Sequence, residues 1–252
     1  MWEEPIISGE RGSGTIFFSG CSLGCVYCQN SEISRSSVGE SVSSLRIAEI
    51  MAELECRGAH NVNFVTPTHF APTVRDAVDI ARERGFSLPT VYNTGSYDTD
   101  AIDAVKGRVD IFLADLKYYK ASTAGSLSFA EDYPEVAKRA IAEMVRQAPA
   151  PIIEDGIMKK GVIVRILLLP SHLAEAKLSV KYLYETYGDN IYLSLMSQYT
   201  PREGVRAPLN RRVTHSEYSE LVEYAEKLGV TNAFTQDISS SCDTYIPDFY
   251  TE

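Results

Sequence analysis

The chain lacks any long hydrophobic run. No apolar stretch in its 252 residues approaches the roughly 20 residues that a membrane-spanning helix requires. The first residues, Met1-Trp2-Glu3-Glu4, are too polar for the start of a signal peptide. Both observations argue against a membrane or secreted protein, and we expect a cytoplasmic one.

Positive charge is also in short supply. The 24 Lys and Arg residues face 34 Asp and Glu residues, which gives a net charge of −10. This balance argues against nucleic acid and against an anionic membrane as partners. Five cysteines, three of them clustered, do not form the pattern of a disulfide framework. We expect Cys56 to be a small buried residue of a helix, and Cys242 to be a surface thiol.

Three cysteines stand close together directly after the apolar run Ile16-Phe17-Phe18. Cys21, Cys25 and Cys28 have the spacing C-x3-C-x2-C, and soft thiolates at such spacing select an iron–sulfur cluster or zinc. A closed zinc site or a fully protein-ligated 4Fe-4S cluster takes four ligands. Three ligands leave one metal position open for chemistry. A zinc knuckle completed by a distant Cys or His remains an alternative, as does a non-catalytic iron–sulfur module.

Apolar runs and helical patterns alternate along the rest of the chain. We expect residues 1–14 to be irregular and residues 15–236 to form the core of a single domain, 1–252, with a parallel sheet. The expected strands are residues 15–19, 61–65, 88–92, 109–115, 162–169 and 191–196, with short extra strands at 151–154 and 232–236. The expected helices are residues 43–57, 72–81, 99–105, 134–147, 173–187 and 216–228. Six such units are fewer than the eight of a closed TIM barrel.

Ligands of parallel α/β folds bind at the carboxyl ends of the strands. The three cysteines follow the first predicted strand. Polar side chains occur at the ends of the later strands, except on the fifth, where Arg165 lies within the strand. The candidates are Thr66, Thr68, Asn93, Thr94, Asp115, Lys117, Arg165 and Gln198.

The cysteine spacing, together with Tyr27 before the last cysteine, resembles the signature of the radical S-adenosyl-L-methionine (SAM) superfamily. The resemblance implies a partial (β/α)6 TIM-like barrel of α/β class, with a 4Fe-4S cluster bound by the three cysteines and SAM bound at the fourth iron. It also implies reductive cleavage of SAM to a 5′-deoxyadenosyl radical that abstracts hydrogen.

A finer resemblance extends from about Trp2 to Gln236. The segments that carry it are Phe17–Asn30, Asp115-Leu116-Lys117 and Val164–Pro170, which are similar to those of enzymes that activate glycyl radical enzymes, typified by pyruvate formate-lyase activating enzyme. The resemblance implies a catalytic role for Cys21, Cys25, Cys28 and Lys117. It implies contacts to SAM from Tyr27, Thr66, Thr68, Asn93, Thr94, Asp115, Lys117, Arg165 and Gln198, where a buried structural salt bridge is the alternative for Arg165.

The chain departs from that family at several positions. Gln29 stands where a histidine commonly follows the third cysteine, and Thr66-Pro67-Thr68 replaces a Gly-Gly-Glu-Pro segment. Relatives in this branch usually carry a further cysteine-containing N-terminal segment, so we expect the chain to begin late. The resemblance implies an electron donor such as flavodoxin or ferredoxin and a glycyl radical enzyme as partners. A small molecule or a peptide is the alternative target.

Overall fold

A parallel β-sheet organises the part of the chain that the computed structural model describes, residues 3–36 and 38–236. Seven strands lie side by side in the order β1-β2-β3-β4-β6-β7-β8, and β5 pairs with β6 in antiparallel orientation. The strands are β1 (Gly14–Phe17), β2 (Val62–Val65), β3 (Thr90–Thr94), β4 (Ile111–Asp115), β5 (Ile152–Glu154), β6 (Ile157–Leu167), β7 (Tyr192–Met196) and β8 (Ala233–Thr235).

Helices connect the strands. They are α1 (Pro5–Ser8), α2 (Ser31–Ser34), α3 (Ser44–Cys56), α4 (Ala71–Glu83), α5 (Thr99–Ala104), α6 (Ala121–Ser128), α7 (Tyr133–Gln147), α8 (Leu173–Tyr187) and α9 (His215–Leu228). The predicted cap of α3 is confirmed, because the Ser43 side chain accepts a hydrogen bond from the Arg46 backbone N–H. The sheet with its connecting helices is the partial TIM-like barrel that the sequence predicts.

Both faces of the central strands are buried. Ile111 and Leu113 pack with Ile7 of α1 on one face, whereas Phe112 and Ala114 of the same strand pack in a cluster with residues of α7 on the other. Residues that alternate along a strand point to opposite faces, so such a strand is apolar throughout. The face packed on Ile7 is the inner face of the barrel.

Several strand boundaries and the first residues differ from the prediction, two of the boundaries for a clear reason. The third strand begins at Thr90 instead of Leu88, because Pro89 has no N–H to donate to the ladder. The fifth predicted strand begins earlier, at Ile157, where it forms a hairpin with β5. Residues 1–14 are not simply irregular: Pro5–Ser8 are helical and carry Ile7 into the inner face.

The structure describes one of the two cysteines that lie outside the clustered group. Cys56 is exposed at the end of α3, so the prediction of a buried residue is wrong, since the inward face of that helix is formed by Ile47, Ala48 and Met51. Cys242 lies outside the described residues. Among the described residues, no helix has both the length and the apolar character needed to cross a membrane.

The last helix, α9, begins with a capping box. The Thr214 hydroxyl accepts from the Glu217 backbone N–H at 3.2 Å, and the Glu217 carboxylate accepts from the Thr214 backbone N–H at 2.9 Å. We expect Thr214→Ala to lower the free energy of unfolding by about 1 kcal/mol, because one helix N–H loses its acceptor. Urea denaturation checks this. Ser216→Ala, an exposed change in the same first turn, is the control, and equal losses in the two variants would contradict the assignment.

Candidate active site

The cysteine-bearing loop follows β1 and is held in place by its backbone. Gly20, with φ of +86°, precedes Cys21 in a conformation that favours glycine, and its N–H donates to Ile33 O at 2.8 Å. Further along, the Val26 N–H donates to Leu127 O at 2.9 Å. Leu127 lies in the last turn of α6, so that helix supports the loop that carries the three thiols.

Two arginines bind carbonyl groups of the same loop. Arg35 Nη2 donates to Cys25 O at 2.7 Å, and Arg202 Nη1 donates to Cys28 O at 2.7 Å and to Gln29 O at 2.9 Å. Neither arginine was predicted from the sequence, and Arg202 in particular is far along the chain from the cysteines, with no local signal to mark it. Two guanidinium groups beside the loop favour a negatively charged group bound there.

Each of the three sulfur atoms has a hydrogen-bond partner. The Leu23 N–H donates to Cys21 Sγ at 3.4 Å, and the Ser128 hydroxyl donates to Cys25 Sγ at 2.9 Å. Cys28 Sγ lies 3.3 Å from the Ser34 hydroxyl. Hydrogen bonds of this kind to ligand sulfurs orient the ligands of iron–sulfur clusters and tune their potential. The donor set therefore fits such a cluster.

The thiols are close enough to influence one another. Burial raises the pKa of Cys21 above its usual value, and the neighbouring Cys25 and Cys28 raise it further. The Leu23 N–H and Lys117 lower the same pKa without outweighing burial. Binding of a metal centre releases the thiol proton.

Among the residues described, no three His, Cys, Asp or Glu side chains are arranged to hold a single metal ion. A tetrahedral zinc site needs all its sulfurs within about 2.3 Å of one point. In a 4Fe-4S cluster each cysteine binds a different iron, so the sulfurs stand further apart.

The side chains of Asp115 and Lys117 lie close to the cysteine loop. Their side chains form an ion pair, and the Lys117 backbone N–H donates to the Tyr133 hydroxyl at 3.0 Å. The Tyr133 hydroxyl in turn donates to Asp115 O at 2.9 Å. Burial lowers the pKa of Lys117, but Asp115 and then Cys25 outweigh this and hold that pKa well above its ordinary value. Lys117 is thus a fixed cation beside the thiols.

The end of β3 lies next to the side chain of Lys117. A Cβ atom at Gly95 would lie 3.3 Å from Leu23 Cδ1 and 3.4 Å from Lys117 Cε. Glycine therefore lets the strand end approach both the lysine stem and the cysteine loop.

The threonines predicted at the ends of β2 and β3 lie together. The hydroxyl oxygens of Thr68 and Thr94 are 3.2 Å apart. Thr66 has a φ of +58°, which is unusual for a β-branched residue and marks a constrained position. Ser96, which sequence analysis missed, also has positive φ. Its buried hydroxyl has no hydrogen-bond partner among the described residues, so a polar group is available for a ligand.

Asn93 and Arg165 face the inside of the barrel and meet the chain's own acidic residues. Arg165 forms ion pairs with Glu3 and with Glu4, the latter through Nε at 2.8 Å and Nη2 at 2.9 Å. Asn93 Nδ2 lies 3.5 Å from Glu3 Oε1. Arg165 is therefore engaged in the buried salt bridge that the sequence left open as its alternative, and its contact to SAM stays a prediction.

Gln198 and Tyr27 both contact the surroundings of the cysteine loop. Gln29 Nε2 donates to Gln198 O at 3.2 Å, while Gln198 Oε1 accepts from Gln236 at 3.2 Å. Tyr27 is buried, with its hydroxyl 2.8 Å from that of Tyr118. Lys117, Gln198 and Tyr27 thus lie around the thiols, the threonines form a neighbouring pair, and Asn93 and Arg165 lie deeper inside.

Comparison with known proteins agrees with this arrangement. Residues 7–131 match the family model of a 4Fe-4S single cluster domain. The chain is 29% identical over 226 residues to the uncharacterized protein MJ0674 of Methanocaldococcus jannaschii. That match covers 85% of this chain and 62% of the relative, so the chain spans less than two thirds of the relative's length.

Solved structures with the same fold include two with bound SAM. SuiB of Streptococcus suis, bound to S-adenosylmethionine, superposes with a TM-score of 0.62 at 11% identity, over 89% of this chain and 50% of SuiB. The native enzyme anSMEcpe with bound AdoMet gives a TM-score of 0.59 at 12% identity, over 85% of this chain and 59% of its own. At such identities the likeness shows the fold.

The matched 4Fe-4S single cluster model covers the cysteine loop, and the solved structures share the barrel fold of this chain.

Proposed function

We propose that this protein is a radical SAM enzyme. It binds a 4Fe-4S cluster through Cys21, Cys25 and Cys28 and cleaves SAM reductively at that cluster. The observation that carries the proposal is the juxtaposition of three hydrogen-bonded thiols with the Lys117–Asp115 ion pair. The matched 4Fe-4S model and two SAM-bound structures of the same fold support it.

The chemistry that the bound cofactors supply is one-electron cleavage of the sulfonium C–S bond, which releases a 5′-deoxyadenosyl radical. The protein has to bind, orient and shield the reactants. Cys21, Cys25 and Cys28 would hold the cluster, and three protein ligands would leave one of its irons open to SAM. Cys25 is buried, so the protein shields at least this side of the cluster site from water.

Lys117 and Asp115 suit the zwitterionic end of SAM. Lys117 presents a compact positive charge that can bind a carboxylate, and Asp115 can accept a charge-assisted hydrogen bond from an ammonium group. Both side chains are partly exposed, at 22% and 25%, so a ligand can reach them. Binding of SAM would replace the Lys117–Asp115 ion pair by two others, one between Lys117 and the SAM carboxylate and one between Asp115 and the SAM ammonium group.

The direct test is to reconstitute the protein with iron and sulfide without oxygen. We expect about four iron atoms per chain and, on addition of reductant and SAM, formation of 5′-deoxyadenosine. Equimolar zinc in colourless protein would contradict the proposal and favour the zinc module.

Lys117→Met tests the contribution of the ion pair. We expect the dissociation constant for SAM to rise roughly 10- to 100-fold, because a hydrogen bond to a charged group contributes about 1.5–3 kcal/mol. Equilibrium binding of SAM to the reconstituted protein measures this.

Lys120→Met, which removes an exposed lysine from the same loop, is the control and should bind SAM as the unchanged protein does. Unaltered SAM binding by Lys117→Met, at equal iron content, would remove Lys117 from the SAM site.

For the target of the radical, we propose a glycyl radical enzyme, with flavodoxin or ferredoxin as the electron donor. The support is the sequence Asp115-Leu116-Lys117, now seen as an ion pair beside the thiols. Electron paramagnetic resonance (EPR) of candidate partner proteins after incubation with the reduced enzyme and SAM is the test. Absence of a glycyl signal in every partner encoded by the same organism, with 5′-deoxyadenosine still formed, would favour a small molecule or a peptide instead.

A further inference from the structure

Cys25 is hydrogen-bonded to the last residue of α6. The Ser128 hydroxyl lies 2.9 Å from Cys25 Sγ, and the two residues are 2% and 7% exposed. The distance is held by the backbone, because the Gly24 and Val26 N–H groups donate to Ser128 O and Leu127 O at 3.4 Å and 2.9 Å. Ser128 is therefore a fixed neighbour of the sulfur.

Two tyrosine hydroxyls extend this contact away from the sulfur. The Tyr118 hydroxyl lies 2.6 Å from Ser128 Oγ and 2.8 Å from the Tyr27 hydroxyl. Both tyrosines are buried, and their rings meet edge to face with centroids 6.4 Å apart. Cys25 Sγ and the three hydroxyl oxygens thus form a continuous series of contacts that is buried from solvent.

A count of hydrogens gives this series one direction when Cys25 binds iron. A thiolate only accepts, so the hydrogen of Ser128 points to the sulfur. The Ser128 oxygen then accepts from Tyr118. In the structure the Tyr118 hydroxyl donates to that of Tyr27, so on cluster binding the Tyr118 hydrogen turns to Ser128 and the Tyr27 hydroxyl becomes the donor to Tyr118. Each hydroxyl polarises the next in a buried, weakly screening environment, which strengthens the bond to the sulfur.

We propose that Ser128, Tyr118 and Tyr27 form a hydroxyl chain that donates to Cys25 Sγ and raises the reduction potential of the bound cluster. Reduction adds one electron, and its negative charge is shared with the ligand sulfurs, so a donor at a sulfur stabilises the reduced state more than the oxidised one. The three residues are positioning residues for the cluster. The inference rests on the proposed function only in that Cys25 binds the cluster.

Ser128→Ala in the reconstituted protein, without SAM, is the test. At the potential where the unchanged protein is half reduced, we expect the ratio of reduced to oxidised cluster to fall about threefold to tenfold, tenfold corresponding to a midpoint 59 mV lower. EPR of samples poised at a series of potentials measures the ratio. Ser128→Thr keeps the hydroxyl and should restore the potential.

Two further variants test whether the tyrosines belong to the hydroxyl chain. Tyr118→Phe should shift the midpoint in the same direction by less than Ser128→Ala, and Tyr27→Phe by less again, because each acts through the remaining hydroxyls. Ser126→Ala, whose exposed hydroxyl on the same helix donates to Thr123 O, should leave the midpoint unchanged.

An unchanged midpoint in Ser128→Ala at equal iron content overturns the inference. If Ser128→Ala fails to take up iron, Tyr118→Phe decides, since Tyr118 does not contact the sulfur: an unchanged midpoint there overturns the inference, and a lowered one supports it. Failure of the unchanged protein to bind a cluster would contradict the proposed function instead.

Discussion

Replacing Cys25 by alanine is expected to abolish 5′-deoxyadenosine formation. Cys25 is the most buried of the three clustered thiols, and its loss leaves two cysteines, one sulfur short of the set that binds the cluster. We expect the brown colour and most of the bound iron to be lost as well. Iron analysis and chromatographic detection of 5′-deoxyadenosine after reduction measure both.

Cys56→Ala is the matched control for this change. It makes the same substitution at an exposed thiol at the end of α3, so reconstitution and turnover should be retained. A Cys25→Ala protein that still forms 5′-deoxyadenosine would contradict the assignment of the cluster to this loop. Equal loss in Cys56→Ala would show that the assay reports general thiol damage.

The main strands and helices could be predicted because their signals are local, whereas α6 (Ala121–Ser128) was missed. Apolar runs of strand length, prolines at helix starts such as Pro72 and Pro134, and the serine cap at Ser43 all act within a few residues. Two boundaries moved for reasons that are also local: β6 begins earlier because it forms a hairpin with the adjacent strand β5, and β3 begins later because Pro89 has no N–H to donate. The cysteine spacing likewise predicted the thiols as a group.

The surroundings of the thiols could be predicted only in part. Lys117 and Asp115 were found because strand ends are known ligand positions. Ser128 and Arg202 were missed, since each is separated by more than 100 residues from the cysteine it contacts, and nothing in their own neighbourhood marks them. The contacts of Glu3 and Glu4 with Arg165 join the first residues to β6, which no local pattern indicates.

The buried ion pairs of Arg165 inside the barrel are expected to contribute strongly to stability. The side chains of Arg165, Glu3 and Glu4 are 12%, 10% and 6% exposed. Arg165→Met leaves two carboxylates buried without their cation, and we expect a loss of about 3–5 kcal/mol in the free energy of unfolding at neutral pH. Urea denaturation of protein prepared without iron measures the loss free of cluster effects.

Two controls separate charge burial from simple loss of an arginine. Arg108→Met removes an exposed partner of Asp79 and should leave the urea concentration at the midpoint of unfolding nearly unchanged. The triple variant Glu3→Gln, Glu4→Gln, Arg165→Met removes the unpaired charges and should recover part of the stability. If the triple variant is no more stable than Arg165→Met, the loss comes from packing and not from the buried carboxylates.

The pH dependence of Arg165→Met should show that buried carboxylates are responsible, and Glu4 is the more buried of the two. Burial alone would raise the pKa of Glu4, but Arg165 outweighs burial and holds that pKa below its ordinary value of 4.5. In the unchanged protein this stabilisation is present above that ordinary value and is lost as the pH falls through the lower folded pKa. In Arg165→Met burial prevails and the folded pKa of Glu4 rises above the unfolded one, so stability is then lost as the pH rises. The difference between the two proteins should therefore be largest at neutral pH and should shrink as the pH falls towards 4.5, and a difference independent of pH would contradict this role for Glu4.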